Sequence, residues 1–207
     1  CCCCCCCCCC NLIRAMTEAE PYDLIGADGS PYSCKLRAVM RYRRIPFLWH
    51  GSFFKSREVF AKYNIKPAII PVLIHNGNYM IDSTPMIQRL EEKEKERGRF
   101  VVPPMKTANR FLSLLLEDFA DEWMTKIMFE GRFHTPKAAQ FGARWQLEQQ
   151  PEAAGSSSTL VPDFAERQRK RRQLVGCENW EVMRYTLASV CSILTSMVMK
   201  GEGFLLG

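Results

Sequence analysis

The stretch IIPVLIHNGNYMIDS, residues 69–83, decides the fold of the first half of the chain. Two short apolar runs flank the dipeptide Asn76-Gly77, which is the strongest short-range sequence signal for a β-hairpin. Ser83 is suited to cap a helix after the second run, and Pro85 suits the first turn of that helix. The stretch therefore predicts two antiparallel strands followed by a helix.

The residues before this stretch continue an alternating α/β pattern. YDLIG, residues 22–26, is a short apolar run that predicts a strand, and the Gly, Ser and Pro residues after it predict a turn. Residues 32–44 and 56–63 carry apolar side chains at helical spacing, and PFLWH, residues 46–50, is a second apolar run between them. The predicted order is β-α-β-α-β-β-α.

The second half of the chain lacks strand signals and predicts helices. Residues 98–106 contain a proline pair and no periodicity, which predicts a linker. After it, an apolar stripe steps by three or four residues and predicts one long amphipathic helix that ends near Gly131. The residues of the stripe are Leu112, Leu116, Phe119, Trp123 and Ile127.

A polar segment separates this helix from a second helical region. Residues 135–162 are rich in small, polar and proline residues and predict a mobile loop. Asp163 and Glu166 have the spacing of a capping box for the next helix. Its apolar stripe consists of Trp180, Met183, Leu187, Val190, Leu194 and Met197. We therefore expect an α/β domain over residues 11–97 and an all-helical domain over residues 107–207.

Cysteine usage points to a reducing compartment. The run from Cys1 to Cys10 accounts for ten of the 13 cysteines, and we interpret it as artefactual or as a placeholder for unidentified residues. Cys34, Cys177 and Cys191 are scattered without disulfide or metal-ligand spacing. The cytoplasm is therefore the expected location, and no metal site is expected.

Charge and hydropathy argue against nucleic acid and membrane partners. The net charge is +6, but the basic residues are dispersed except in ERQRKRRQ, residues 166–173, which we interpret as a solvated helix face. This run contains no aromatic side chains, which a surface that stacks on bases would need. Beyond position 11 we find no apolar run of about 18 residues, so neither export nor a membrane span is expected.

Three motifs in this order and spacing resemble the cytosolic glutathione transferase family. They are SPYSCKLR (30–37), IIPVLIHNG (69–77) and DSTPMI (82–87), and the likeness extends over residues 22–207. The first two are most similar to the serine-type classes, above all the plant tau class. The resemblance implies a thioredoxin-like α/β domain followed by an all-α domain, glutathione as co-substrate and a homodimer. It also implies that the helical domain, which stops at GFLLG (203–207), is incomplete.

Ser30 is the catalytic residue that the resemblance implies. The matching family serine donates a hydrogen bond to the glutathione sulfur, so that the bound thiol loses its proton near neutral pH. Lowering a thiol pKa by about two units from about 8.5 corresponds to roughly 2.7 kcal/mol. A helix N-cap is compatible with this role. Ser33 remains the alternative as the activating hydroxyl.

The resemblance assigns the rest of the glutathione site to separate segments. Pro71 matches a cis-proline that turns the backbone of Ile70 toward the cysteinyl portion of glutathione, and a trans proline at a strand start is the alternative. Asp82 and Ser83 match an acidic-Ser pair that holds the amino and carboxylate groups of the γ-glutamyl end. Lys55 matches a lysine that binds the glycyl carboxylate, although it could be an ordinary exposed lysine.

These residues predict a glutathione transferase that activates the thiol for attack on an electrophilic, hydrophobic co-substrate. A binding or interaction module without turnover is the second hypothesis, because Ile69 stands where the family has another lysine. A glutathione enzyme that displaces an ether or halide is the third. The absence of cysteine at position 30 argues against thiol-disulfide exchange.

Overall fold

The computed structural model describes residues 20–147 and 157–200. The chain divides into two compact units between Arg99 and Phe100, inside the predicted linker. The cysteine run, residues 148–156 of the predicted loop and the GFLLG segment lie outside the described residues.

The N-terminal unit has the predicted alternation of strands and helices. In chain order its elements are β1 (Tyr22–Ile25), α1 (Pro31–Tyr42), β2 (Phe47–His50), α2 (Phe53–Tyr63), β3 (Val72–His75), β4 (Asn78–Ile81), α3 (Ser83–Lys93) and a 3-10 turn (Lys95–Arg97). The strand order in the sheet is β2-β1-β3-β4. Strand β1 is parallel to β2 and antiparallel to β3, and β4 is antiparallel to β3. The predicted thioredoxin-like arrangement is confirmed.

The hairpin between β3 and β4 forms where the Asn-Gly signal predicts it. His75 pairs with Asn78, and the two residues between them have positive φ angles, 50° at Asn76 and 73° at Gly77. Positive φ at both central residues defines the turn type whose twist matches that of the strands. The turn therefore fixes the register of β3 against β4.

The sheet is the middle layer of the N-terminal unit. Successive strand residues point to opposite faces, and the neighbours Leu24 and Ile25 are both buried. On the face of Ile25, the side chains of Val59 and Ile65 complete a core cluster. Because both faces are covered, the positions of the strand ends are tightly determined.

The described part of the C-terminal unit contains only helices. They are α4 (Ala108–Phe119), a π-helical turn (Ala120–Met124), α5 (Thr125–Phe133), α6 (Pro136–Leu147), α7 (Ser157–Val175) and α8 (Trp180–Lys200). This confirms the predicted all-α class of the second half.

Helical residues continue without a break from Ala108 through the π-helical turn to Phe133, so the prediction of one long helix ending near Gly131 is confirmed, but the prediction of its continuous apolar stripe is wrong. A π turn adds one residue to the helical repeat, so the apolar residues before and after it no longer share one face. Of the predicted stripe only Ile127 is buried, whereas Leu112 is 40% exposed and Trp123 is 54% exposed. The stripe is therefore not a continuous core face.

The predicted loop over residues 135–162 is also wrong in most of its described part. Thr135 caps α6 by accepting a hydrogen bond from the backbone N–H of Ala138 at 3.1 Å, and Pro136 is the first helical residue. Ala139 and Ala143 are fully buried in one cluster with residues of α7. Such small residues let two helices approach closely, although they contribute little to an apolar pattern in the sequence.

The predicted capping box is wrong for the same region. Asp163 lies inside α7, six residues after its start, so it cannot be the N-cap of that helix. The helix continues through Pro162, and buried Val161 and Ala165 hold this stretch against α6. Tertiary packing therefore outweighs the local start signal.

Helix α8 has an unusual composition. Trp180–Met199 is long and apolar enough to cross a membrane, with a mean hydropathy of 1.4, and 11% of it is buried. The expectation that no segment has this length and apolar character is therefore wrong. Apolar core helices of globular proteins meet the same criterion, so length and composition alone are weak support for a span.

Candidate functional site

Four chain segments meet at one end of the sheet in the N-terminal unit. Ile25 at the end of β1 lies opposite Val72 at the start of β3, and Val72 lies opposite Ile81 at the end of β4. His50 at the end of the parallel strand β2 also lies opposite Ile25. The residues that follow β1, β2 and β4, and those that precede β3, are therefore neighbours.

Three helices begin at this end of the sheet. Their N-caps are Ser30, Ser52 and Asp82, and each side chain accepts a hydrogen bond from a backbone N–H of the first helical turn, at 3.3, 3.2 and 3.2 Å. The N-terminus of a helix carries partial positive charge and free N–H groups, which favour anions. We call these three N-termini, together with Ile70 and Pro71, the helix-end site.

The two candidate hydroxyls of α1 have different surroundings. Ser30 is partly exposed, and because its oxygen accepts the cap hydrogen bond, its O–H is left to donate. Ser33 is fully buried, and its hydroxyl oxygen accepts a hydrogen bond from the backbone N–H of Ala27 at 3.3 Å. Ser33 holds the loop in place beneath the surface, whereas Ser30 can meet a ligand.

The backbone just before β3 has an unusual conformation. The Ile70–Pro71 bond is cis, as the family resemblance implies. Pro71 is fully buried, and Ile70 is partly exposed. The pairing of β3 with β1 begins only at Val72, so Ile70 lies outside that ladder. Its N–H and C=O therefore take no part in the pairing of β1 with β3.

The start of α3 shows two features of a binding site. Asp82 has φ 71° and ψ 117°, a conformation that is strained for a residue other than glycine, and such strain concentrates at functional sites. Ser83 is 3% exposed, yet no described residue in 20–147 or 157–200 forms a hydrogen bond with its hydroxyl. The Ser83 oxygen is not fully enclosed, so it remains accessible to water or to a ligand.

Lys35 is a site residue that sequence reasoning missed. Its ammonium group donates a hydrogen bond to the side-chain oxygen of Thr84 at 3.1 Å, so it links the second turn of α1 to the first turn of α3. It adds a full positive charge between two helix N-termini. No local signal reveals this contact, because the partners are 49 residues apart.

Lys55 lies in the first turn of α2, at the same end of the sheet. Its side chain is 47% exposed, and its ammonium group is 3.0 Å from the carboxylate of Glu58. Glutathione would have to compete with this carboxylate for the lysine. The interpretation of Lys55 as an ordinary surface lysine therefore stays open.

A second group of ionisable side chains lies in the C-terminal unit. The fully buried carboxylate of Glu130 accepts hydrogen bonds from Arg172 at 2.5 and 2.7 Å and lies 2.7 Å from the imidazole of His134. Burial alone would raise the pKa of Glu130, but the hydrogen bonds from Arg172 and His134 outweigh it and hold the pKa below its usual range. This group joins α5 to α7.

Cys177 adjoins this group and is not suited to act as a nucleophile. Burial, followed by the nearby charge and hydrogen bond of Glu130, raises the pKa of its thiol to about 11. The thiol therefore stays protonated at neutral pH. Among residues 20–147 and 157–200, no three His, Cys, Asp or Glu side chains are arranged to hold a metal ion.

Comparison with known proteins places the N-terminal unit. Residues 24–98 match the family model described as glutathione S-transferase, N-terminal domain. Glutathione S-transferase U8 of Arabidopsis thaliana is 29% identical over 82 residues, which cover 39% of this chain and 37% of that protein. The chain thus matches well under two thirds of the length of this relative. Both findings show that the N-terminal unit is similar to the N-terminal domain of glutathione S-transferases.

Solved structures extend the likeness to the fold of most of the chain. Beta-etherase LigF from Sphingobium sp. strain SYK-6 has a TM-score of 0.59 and 18% identity, covering 90% of this chain and 76% of that chain. Glutathione transferase GSTFuA3 from Phanerochaete chrysosporium has a TM-score of 0.58 and 17% identity, covering 92% and 78%. At these identities the likeness shows the fold alone.

Proposed function

We propose that the chain is a glutathione transferase of the serine type that binds glutathione at the helix-end site. The observation that carries this proposal is the meeting of three helix N-termini at one end of the sheet. Glutathione with an ionised thiol has three anionic groups, namely the thiolate and two carboxylates. Each can be paired with one helix N-terminus.

The proposed pose follows from the side chains at each terminus. Ser30 at the start of α1 donates to the sulfur, and the hydroxyl of Ser83 at the start of α3 binds the γ-glutamyl carboxylate. The carboxylate of Asp82 faces the γ-glutamyl ammonium, the backbone of Ile70 pairs with the cysteinyl portion, and Lys55 at the start of α2 binds the glycyl carboxylate.

The energetics of thiol activation are compatible with these groups. Lowering the pKa of the bound thiol by about two units requires roughly 2.7 kcal/mol. One hydrogen bond to a charged group contributes about 1.5–3 kcal/mol, and a helix N-terminus contributes about 0.3–1 kcal/mol. The Ser30 hydroxyl and the α1 terminus together are therefore sufficient.

The chemical step is a nucleophilic displacement. The thiol proton leaves to solvent on binding, a sulfur electron pair forms the new C–S bond, and the leaving group departs with its own electron pair. Holding both reactants in one site adds a proximity advantage. A small hydrophobic electrophile, a homodimer and a cytoplasmic location complete the proposal. The family resemblance supports the first two, and the cysteine usage also supports the third.

Replacing Ser30 by alanine tests the catalytic assignment. We expect Ser30→Ala to lower the conjugation rate with an aryl halide about 100-fold, because it removes one donor to the developing reactive charge. Calorimetry should show that the affinity for glutathione changes only a few-fold. The bound thiol pKa, followed by the ultraviolet absorbance of the thiolate, should rise toward its free value.

Thr107→Ala is the matched control, since Thr107 caps α4 through an equivalent hydrogen bond of 3.1 Å to the N–H of Arg110. It removes an N-cap of the C-terminal unit and should leave the bound thiol unchanged. Equal conjugation rates for wild type and Ser30→Ala would refute the role of Ser30.

A binding module without turnover is the second candidate. It is favoured by the Lys55–Glu58 ion pair and by Ile69, which is 41% exposed where the family has a lysine. Retention on immobilised glutathione, combined with no conjugation of a panel of electrophiles, would select this candidate. Absence of any glutathione binding by the folded chain would exclude both functions.

A further inference from the structure

We propose that Asp28, Arg37 and Trp49 form a clamp that positions Ser30 and thereby sets the acidity of the bound thiol. This inference rests on the proposed function, because it concerns the same hydroxyl and sulfur. Arg37 acts through the backbone of the loop before Ser30, so it is a positioning residue.

The loop between β1 and Ser30 is held by side chains of α1. The hydroxyl of Ser33 accepts from the N–H of Ala27, and the thiol of Cys34 donates to the backbone carbonyl of Asp28, both at 3.3 Å. The guanidinium of Arg37 forms an ion pair of 2.5 Å with the Asp28 carboxylate. Two successive turns of the helix thus hold Ala27 and Asp28, in the middle of the loop.

Arg37 is itself fixed from the other side. Its guanidinium carbon lies 4.6 Å from the ring centroid of Trp49, which places Arg37 between an acid and an aromatic ring. The Arg37 side chain is 20% exposed and that of Asp28 is 39% exposed. A pair that is partly shielded and stacked is worth more than an exposed ion pair, because water and salt screen it less.

Trp49 fits a place made by two glycines. A Cβ atom on Gly26 would lie 2.9 Å from the Trp49 ring, and a Cβ atom on Gly51 would lie 2.7 Å from it. The ring therefore occupies space that any other residue at these positions would fill. It connects the ends of β1 and β2 to Arg37, so the clamp is anchored in the sheet.

Such anchoring matters because a hydrogen bond weakens steeply when its angle or distance departs from the ideal. A donor stabilises a thiolate best when it is already aimed at the sulfur before glutathione arrives. Ser30 begins α1, and the clamped loop sets the direction from which its backbone enters the helix. Loss of the clamp should therefore reduce thiolate stabilisation more than it reduces glutathione binding.

The test compares Arg37→Met with Asp28→Ala and measures the pKa of enzyme-bound glutathione by thiolate absorbance. The clamp predicts that each variant raises this pKa by about one unit. At a pH below the pKa, the fraction of bound glutathione that is ionised then falls about tenfold. The thiol pKa in the double variant should differ little from that in either single variant, because both substitutions break the same ion pair.

A purely electrostatic effect gives a different pattern. Removing the cation of Arg37 would raise the thiol pKa, whereas removing the anion of Asp28 would lower it. A lowered pKa in Asp28→Ala, or an unchanged pKa in both single variants, would therefore overturn the clamp. Arg37→Lys keeps the charge but loses most of the stacking, and it should recover part of the shift.

Arg41→Met is the matched control, because Arg41 is exposed near the other end of the same helix. It should leave the bound thiol pKa unchanged. Wild-type protein provides the check on the underlying function. If it binds no glutathione, the proposed function fails. If it binds glutathione with a lowered thiol pKa that Arg37→Met and Asp28→Ala both retain, only the clamp fails.

Discussion

Ser30 and Ser33, at the start of α1, have different roles because one is partly exposed and the other is buried. We expect Ser33→Ala to lower the free energy of unfolding by about 1–3 kcal/mol, because the buried N–H of Ala27 loses its acceptor. Ser30→Ala should cost about 1 kcal/mol, the usual effect of losing an N-cap. Denaturant titration of both variants measures the difference. A smaller loss for Ser33→Ala than for Ser30→Ala would contradict this prediction.

The residues of the candidate site could be predicted from sequence to different degrees. Ser30 is the N-cap that its local signal indicates. The prediction that Ser83 caps the next helix is wrong by one residue, because Asp82 is the N-cap and Ser83 is the first helical residue. The family resemblance supplied the proposed roles. The choice between Ser30 and Ser33 required burial, and the contacts of Lys35 and Arg37 required the folded chain, because their partners are distant in sequence or are backbone turns.

At the scale of single elements, replacing glycine by alanine should have opposite effects on stability in the hairpin turn and in a helix. Gly77 has φ 73° and Gly131 lies inside α5, and a Cβ atom on either would meet nothing within 4 Å. Gly77→Ala should destabilise by about 1 kcal/mol, because alanine is disfavoured at positive φ. Gly131→Ala should stabilise by up to about 1 kcal/mol, because alanine favours the helix.

Thermal or denaturant unfolding of the two glycine variants provides the measurement. Since neither Cβ contacts another atom, packing cannot account for a difference between them. Equal changes of the same sign in the free energy of unfolding would mean that backbone conformation does not determine the effect of alanine at these two positions.

Elements with a strong period were predictable, and elements built on small side chains were not. The strands and helices up to α3 follow from apolar runs, helical spacing and the Asn-Gly turn. Helix α6 packs through Ala139 and Ala143, whose patterns are weak in the sequence, although Thr135-Pro136 was a readable start signal. The π-helical turn within residues 120–124 has no such signal, and it shifts the phase of the apolar stripe.

At the scale of the whole molecule, charge is used differently in the two units. The helix-end site gathers helix N-termini and exposed or partly exposed polar groups for a ligand. The C-terminal unit instead buries Glu130 with Arg172, and the ring of His134 stacks on Trp180 at 5.1 Å. These contacts connect α5, α7 and α8. The free energy of unfolding of the helical unit should therefore depend on pH through the protonation of the Glu130 carboxylate.

Glu130→Gln tests this connection. Because the folded-state pKa of Glu130 is lowered, its contribution to stability is present above the ordinary glutamate pKa of about 4.3 and is lost as the pH falls through the lower folded value. Near neutral pH the variant should lose about 3–5 kcal/mol, because Arg172 is left without its buried partner. The gap between wild type and Glu130→Gln should narrow as the pH falls below about 4.3.

Denaturant titration of wild type and variant over that acidic range measures the gap directly. The comparison cancels the titration of the groups that do not contact Glu130, which both proteins share. Glu122→Gln, at an exposed position of the same unit, should leave the stability nearly unchanged at every pH. A gap between wild type and Glu130→Gln that is constant with pH would show that Glu130 contributes by shape and hydrogen bonding rather than by its charge.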